Sequence, residues 1–232
     1  MRARRHRGVA ARLSAALCLA ALTASCHMGA DKEHSDIAGI VPQADDGTAT
    51  PTAEARYTKW PDPDTLLIYI DGSRYKVSAD GSVFSPEGAP CFDICNEGRL
   101  ERLYFAQKGS SLFLFYTDAT ADGTASFARR IDIESGETLW SSDVTGVAMC
   151  RPVIKGQFAY IGSFGFVGKM KLKSGQYDWK YSNLNRDGRF EQFRDIKFPN
   201  SHEVQFVSHH PLAFGSDTVV VNDISGEIVK MK

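Results

Sequence analysis

Between Ile131 and Trp140 the chain reads Ile-Asp-Ile-Glu-Ser-Gly-Glu-Thr-Leu-Trp. Apolar and polar side chains alternate, and on a strand that alternation sends them to opposite faces. It breaks at Ser135-Gly136 and resumes into Trp140. The pattern predicts two half-buried strands joined by a turn whose glycine supplies a positive φ.

The same unit recurs. Aligned on the turn glycine, copies run over Lys169–Trp179 (Gly175), Val221–Lys230 (Gly226) and, more faintly, Tyr75–Phe84 (Gly81). Successive glycines lie 55, 39 and 51 residues apart, which fits a unit of about 40 residues with loop insertions. Apolar runs at Leu66–Ile70, Leu112–Tyr116 and Phe158–Gly162 supply further strands before the turns. Four antiparallel strands per unit at this period predict propeller blades, each packed face to face on the next with an aromatic in the gap. The expected fold class is all-β, a small β-propeller or an open propeller-like stack of about four four-stranded blades. Tyr57–Trp60 is expected to complete the first blade.

The units resemble the blade repeat of the pyrroloquinoline-quinone-type (PQQ-like) propellers: an alternating strand, Asp, Thr/Ser-Gly, Lys/Glu, then Leu-Trp. Trp140 and Trp179 fill the tryptophan position, whereas Val229 and Phe84 stand near it in the other copies. The resemblance covers residues 64–232. The related quinone-dependent dehydrogenases use adjacent cysteines and a calcium-bound quinone inside a larger ring. No vicinal cysteine pair is present here, so the resemblance implies the fold without the activity, and no cofactor is expected.

Composition agrees with a folded chain: 43% of residues are hydrophobic and 11% aromatic. Residues 1–25 hold five arginines and no acidic residue. Of the 27 basic and 28 acidic residues, 22 and 28 therefore remain beyond them, a balance of −6. That excludes a nucleic-acid surface as the dominant feature.

The arginines Arg2, Arg4, Arg5, Arg7 and Arg12 precede a short apolar run, Leu13–Leu22, followed by small residues. This is the layout of a cleaved export signal (1–25), and the run is too short to span a bilayer. Leu22-Thr23-Ala24-Ser25-Cys26 resembles a bacterial lipobox, which implies acylation of Cys26 and attachment to membrane lipid. Thr23 departs from the usual leucine, so conventional cleavage at small residues is the alternative. With His27 rather than Asp beside the cysteine, the expected address is the outer membrane facing the periplasm. Residues 26–54, polar and aperiodic, are expected to form a flexible tether ahead of a propeller domain at 55–232.

Cys91 and Cys95 are expected in an inserted loop between the first two blades, joined by a disulfide, with Cys150 left as a buried thiol or alternative partner. Asn183–Glu191 sets oxygen side chains around a glycine as some calcium loops do, but Arg186 and Arg189 oppose a cation and a polar inter-blade loop is the expectation. Asp118–Ser126 is a weaker imitation, expected to be a hairpin loop. His202, His209 and His210 are expected at the surface or at strand ends, because adjacent strand residues face opposite ways. No metal site is expected.

No nucleophile elbow, zinc helix or phosphate loop is present. The chain is therefore expected to be a binding module rather than an enzyme, contacting an envelope protein through the loops Pro86–Arg99, Asn183–Arg189 and Phe198–His202. Arg186, Asp187, Arg189 and His202 are the candidate contact residues. Two alternatives stand beside this. An enzyme or small-ligand binder would converge Asp, Glu, His or Arg at the propeller channel. A fragment of a larger propeller would need a second copy to close.

Overall fold

A computed structural model describes residues 49–58, 63–95, 98–209 and 216–232. The expected signal peptide, Cys26, most of the tether, Trp60 and His210 lie outside the described residues. Within them no helix is long and apolar enough to cross a membrane.

The described chain is all-β. Two short strands, β1 (Ala53–Glu54) and β2 (Arg56–Tyr57), come first and join different sheets. Sheet 1 consists, in order, of β2, β3 (Leu66–Ile70), β4 (Ser73–Val77), β5 (Ser82–Phe84) and β6 (Pro90–Asp93). Sheet 2 consists of β1, β7 (Arg99–Lys108), β8 (Ser111–Thr120), β9 (Gly123–Asp132) and β10 (Thr138–Val144). Sheet 3 holds β11 (Val153–Lys155), β12 (Phe158–Ser163), β13 (Phe166–Lys171) and β14 (Tyr177–Tyr181). Sheet 4 holds β15 (Phe193–Asn200), β16 (Glu203–Ser208), β17 (Thr218–Asn222) and β18 (Ile228–Met231). All neighbouring strands are antiparallel.

Burial explains the stacking. Sheet 2 is covered on both faces, so β8 is apolar on both. Leu112, Leu114 and Tyr116 point into one core cluster with Ile68 and Val77 of sheet 1, and Phe113 and Phe115 into another with Ile161 and Met170 of sheet 3. A third cluster, around Tyr160, Phe206 and Val221, joins sheets 3 and 4. Among the described residues no cluster joins sheet 4 back to sheet 1, so these residues form an open propeller-like stack of four sheets. On β3 this leaves strict alternation: Leu66, Ile68 and Ile70 are buried, while Tyr69 is 51% exposed.

The turn glycines act as sockets. A Cβ on Gly175 would stand 2.6 Å from the Trp140 ring and one on Gly226 2.9 Å from Trp179. Each sheet's tryptophan therefore seats on the next sheet's glycine. Trp140 adds a hydrogen bond from Nε1 to the Leu172 carbonyl at 3.0 Å. Register puts Trp140 across from Arg130, Trp179 across from Lys169 and Lys230 across from Val220. The tryptophan position of sheet 4 is thus held by Lys230, not Val229.

The faint first copy differs for a stated reason. Its turn closes from Ser78 N to Ser82 O, one residue shorter than Asp132 N to Glu137 O and its counterparts. A one-residue change reverses every face. Val77 accordingly points towards sheet 2, whereas Ile131, Met170 and Val221, ahead of the longer turns, point to the preceding sheet.

Three expectations are corrected. Sheets 1 and 2 have five strands, not four. The tether does not run to residue 54: Thr50 N donates to Gln107 O and β1 pairs with β7, so the fold takes up its last residues. Pro86–Arg99 is not a free inserted loop, because Pro90–Asp93 forms β6 on the outer edge of sheet 1.

Candidate functional site

The loop residues named from the sequence do not converge. Arg186, Asp187 and Arg189 lie together between β14 and β15. Arg189 pairs with Asp217 at 3.0 Å, lies 4.0 Å from Asp187 and stacks over Phe190 at 4.8 Å. That side chain is spent on structure, and the arginine beside Asp187 suits a polar loop. His202 sits in the turn at the far end of β15, an eight-residue strand and so roughly 25 Å away. Its backbone is engaged on both sides, to Asn200 Oδ1 and from Asp223 N. His209 follows β16 and donates its N–H to Gln192 O. Asp118–Ser126 spans the hairpin of β8 and β9. Among the described residues no three His, Cys, Asp or Glu side chains are grouped to hold a metal ion.

No disulfide joins Cys91 to Cys95. Cys91 lies on β6, which ends at Asp93, whereas Cys95 is buried past the bend at Ile94. The Cys91 thiol donates to Ala89 O, while Cys95 donates to Asp80 O at 3.2 Å and is pushed up to about 11, chiefly by burial.

What the fold does bring together is a recess where the first strands of sheets 2, 3 and 4 meet, with a cavity of about 500 Å³. Arg102 and Tyr104 enter from β7, Arg151 from just before β11, and Gln192 and Arg194 from the start of β15. Glu54 enters on β1. Phe193, Ala148 and Cys150 give the floor an apolar part, and His209 stands at the margin.

Each cation is held differently. The Arg102 guanidinium donates to Met149 O at 3.3 Å and lies 3.5 Å from the Tyr104 hydroxyl, which itself donates to the same carbonyl. Arg151 faces Glu54 at 3.9 Å, both well exposed, a pair worth at most about 1 kcal/mol in water. Arg194 is exposed and, among the described residues, has no ion-pair partner. Three arginines against one glutamate leave the recess at +2 in a chain whose balance beyond residue 25 is −6. Burial pushes the Cys150 thiol up to about 12. It is therefore protonated at neutral pH and presents no thiolate nucleophile.

The sequence reading named none of the recess arginines. A signal existed: Arg56, Arg102, Arg151 and Arg194 each open a unit, spaced 46, 49 and 43 residues apart. They lie at or near the first strand of each unit, outside the hairpins that the turn glycines mark.

No sequence-family model and no curated protein matches the chain. Solved structures similar in fold include BamB from Moraxella catarrhalis, 13% identical with a TM-score of 0.45, over 79% of this chain and 51% of that one. Sqt1 from Saccharomyces cerevisiae is 14% identical with a TM-score of 0.48, over 72% and 50%. Quinohemoprotein alcohol dehydrogenase from Comamonas testosteroni is 10% identical with a TM-score of 0.43, over 72% and 34%. The chain spans about half the length of the first solved structures it matches.

Proposed function

We propose that this protein is an exported, lipid-anchored binding module that holds another envelope protein at the recess formed by the first strands of its blades. The observation that carries the reading is the convergence of Arg102, Arg151 and Arg194 from three separate sheets on one solvent-open cleft. Rigid sheets fix these side chains relative to one another, and such a scaffold suits recognition. The lipobox-like stretch at Cys26 supports the address at the membrane surface.

A photo-crosslinking residue at Gln192 tests the site in cells producing the full chain. Adducts to one defined protein are expected from Gln192 and not from Lys173, which lies in the turn after β13. Equal labelling from both positions, or none from Gln192, defeats the reading. In the same cells Cys26→Ser is expected to abolish incorporation of labelled fatty acid and release the chain from membranes.

A channel enzyme or small-ligand binder is the second reading, favoured by the same convergence of charged groups, which that class requires. Cys150 is protonated and Glu54 is the one carboxylate among the described residues that line the recess, which suits binding.

A further inference from the structure

We propose that the ligand of the recess is an extended acidic segment of the partner protein, its carboxylates seated on Arg151, Arg194 and Arg102. This rests on the recess being the contact surface and goes on to name the chemistry it selects.

The chain contains its own example of such a ligand. Glu54 reaches the recess on a two-residue strand added to the edge of sheet 2, with Ala53 opposite Phe105 and Glu54 opposite Tyr104. Flanking bonds from Thr50 N to Gln107 O and from Ala55 N to Leu103 O hold that segment extended. Its carboxylate then lies 3.9 Å from Arg151. An extended backbone carrying a carboxylate is therefore already accommodated, and strand addition at a sheet edge is a general mode of peptide capture. The same cleft is lined by the start of β15, where Arg194 has no ion-pair partner among the described residues.

The charge arithmetic points the same way. A net +2 cleft in a chain whose balance beyond residue 25 is −6 attracts a locally acidic segment. Three guanidiniums are too few for a nucleic-acid footprint, which commonly neutralises about 6–10 phosphates. A guanidinium offers five N–H donors in a planar fork that fits a carboxylate. Arg102 is oriented by Met149 O and keeps donors to spare. Phe193, Ala148 and Cys150 supply an apolar floor for side-chain stems. The cavity volume lies within the roughly 300–1,000 Å³ of ligand clefts.

The test is fluorescence anisotropy of the purified full chain with a labelled peptide of alternating Glu and Asp, beside the same peptide with Gln and Asn. The acidic peptide is expected to bind, with affinity falling as salt rises, and the neutral one about tenfold more weakly. Arg194→Glu and Arg151→Glu should each weaken binding about tenfold, with Arg194→Lys weakening it less than Arg194→Glu, whereas Lys173→Glu should leave it within about threefold. Glu54→Gln removes the internal competitor and should tighten binding roughly threefold. The proposal is overturned if both peptides bind alike, if Lys173→Glu weakens binding as much as Arg194→Glu, or if millimolar inorganic phosphate displaces the peptide completely, which would make the site one for small anions. Crosslinking from Gln192 combined with no preference for the acidic peptide leaves the contact surface standing and removes only its chemistry.

Discussion

Asp118 on β8 is 5% exposed, and its Oδ1 has no hydrogen-bond partner among the described residues. Burial, with a smaller contribution from Glu101, raises its pKa above the ordinary 3.8. The folded chain therefore holds this proton more tightly than the unfolded chain does. Its stability is greatest below the unfolded value, falls as pH climbs through the interval up to the raised value, and carries the whole penalty at neutral pH. Asp118→Asn removes the charge without changing shape. It is expected to raise stability by about 1 kcal/mol at pH 7 and to lose that advantage at pH 3, as urea unfolding at the two pH values would show. A midpoint lowered at pH 7 would mean that the carboxylate is satisfied after all. Nothing in Thr-Asp-Ala-Thr announces a buried acid. The tertiary fold buries it, for β7 and Gly98 close over it and a Cβ added at Gly98 would meet the Asp118 carboxylate.

Between sheets 3 and 4 the tryptophan-on-glycine contact is reinforced by a polar lock. Lys169 on β13 reaches Asp223 after β17, with Nζ 2.9 Å from the carboxylate and 2.7 Å from the backbone carbonyl. Tyr160 donates to the same carboxylate at 2.7 Å, and the partnership pushes its hydroxyl pKa upward along with burial. The arrangement displaces an interaction seen one blade earlier. Trp140 Nε1 takes the carbonyl of Leu172, but the matching carbonyl of Asp223 is occupied by Lys169, and Trp179 Nε1 has no partner among the described residues. Removing one side of a buried pair strands the other charge, so Lys169→Met is expected to destabilise by about 3 kcal/mol. Chemical denaturation would measure this, and a loss below about 1 kcal/mol would show that Asp223 finds another partner. The hairpins that form this lock were legible from alternation and glycine placement. The lock itself was not, since Lys169 reads as a surface residue in Lys-Met-Lys-Leu-Lys until its strand is sandwiched.

At the scale of the molecule, the two free ends do not carry the devices used inside. Gly81, the first turn glycine, has its Cβ space filled by Cys95 Sγ, and Lys230 stands where a tryptophan would seat on a fifth sheet. Sheet 4 adds Asp195, Lys197 and Glu203, exposed or half-exposed, and a polar outer face is what a terminal repeat requires. Lys230→Trp would restore the missing aromatic and is expected to promote self-association in sedimentation velocity, while the unaltered chain shows less. If the variant sediments unchanged, the uncovered end of sheet 4 is not shaped to receive another blade. The number of blades and their all-β character followed from repetition along the sequence. Openness did not, because Leu-Leu-Ile-Tyr-Ile on β3 is as apolar as the doubly covered runs, and only burial distinguishes a terminal sheet from an internal one.

The exchange of β1 and β2 between sheets also bears on how the chain assembles during synthesis. Sheets 3 and 4 are local meanders that can form as each segment leaves the ribosome. Ala53, by contrast, must wait for Phe105, and closing a loop of that length carries an entropy that grows with the logarithm of its span. The amino-terminal half is thereby made into one cooperative unit, whose backbone amides should exchange with solvent together rather than sheet by sheet.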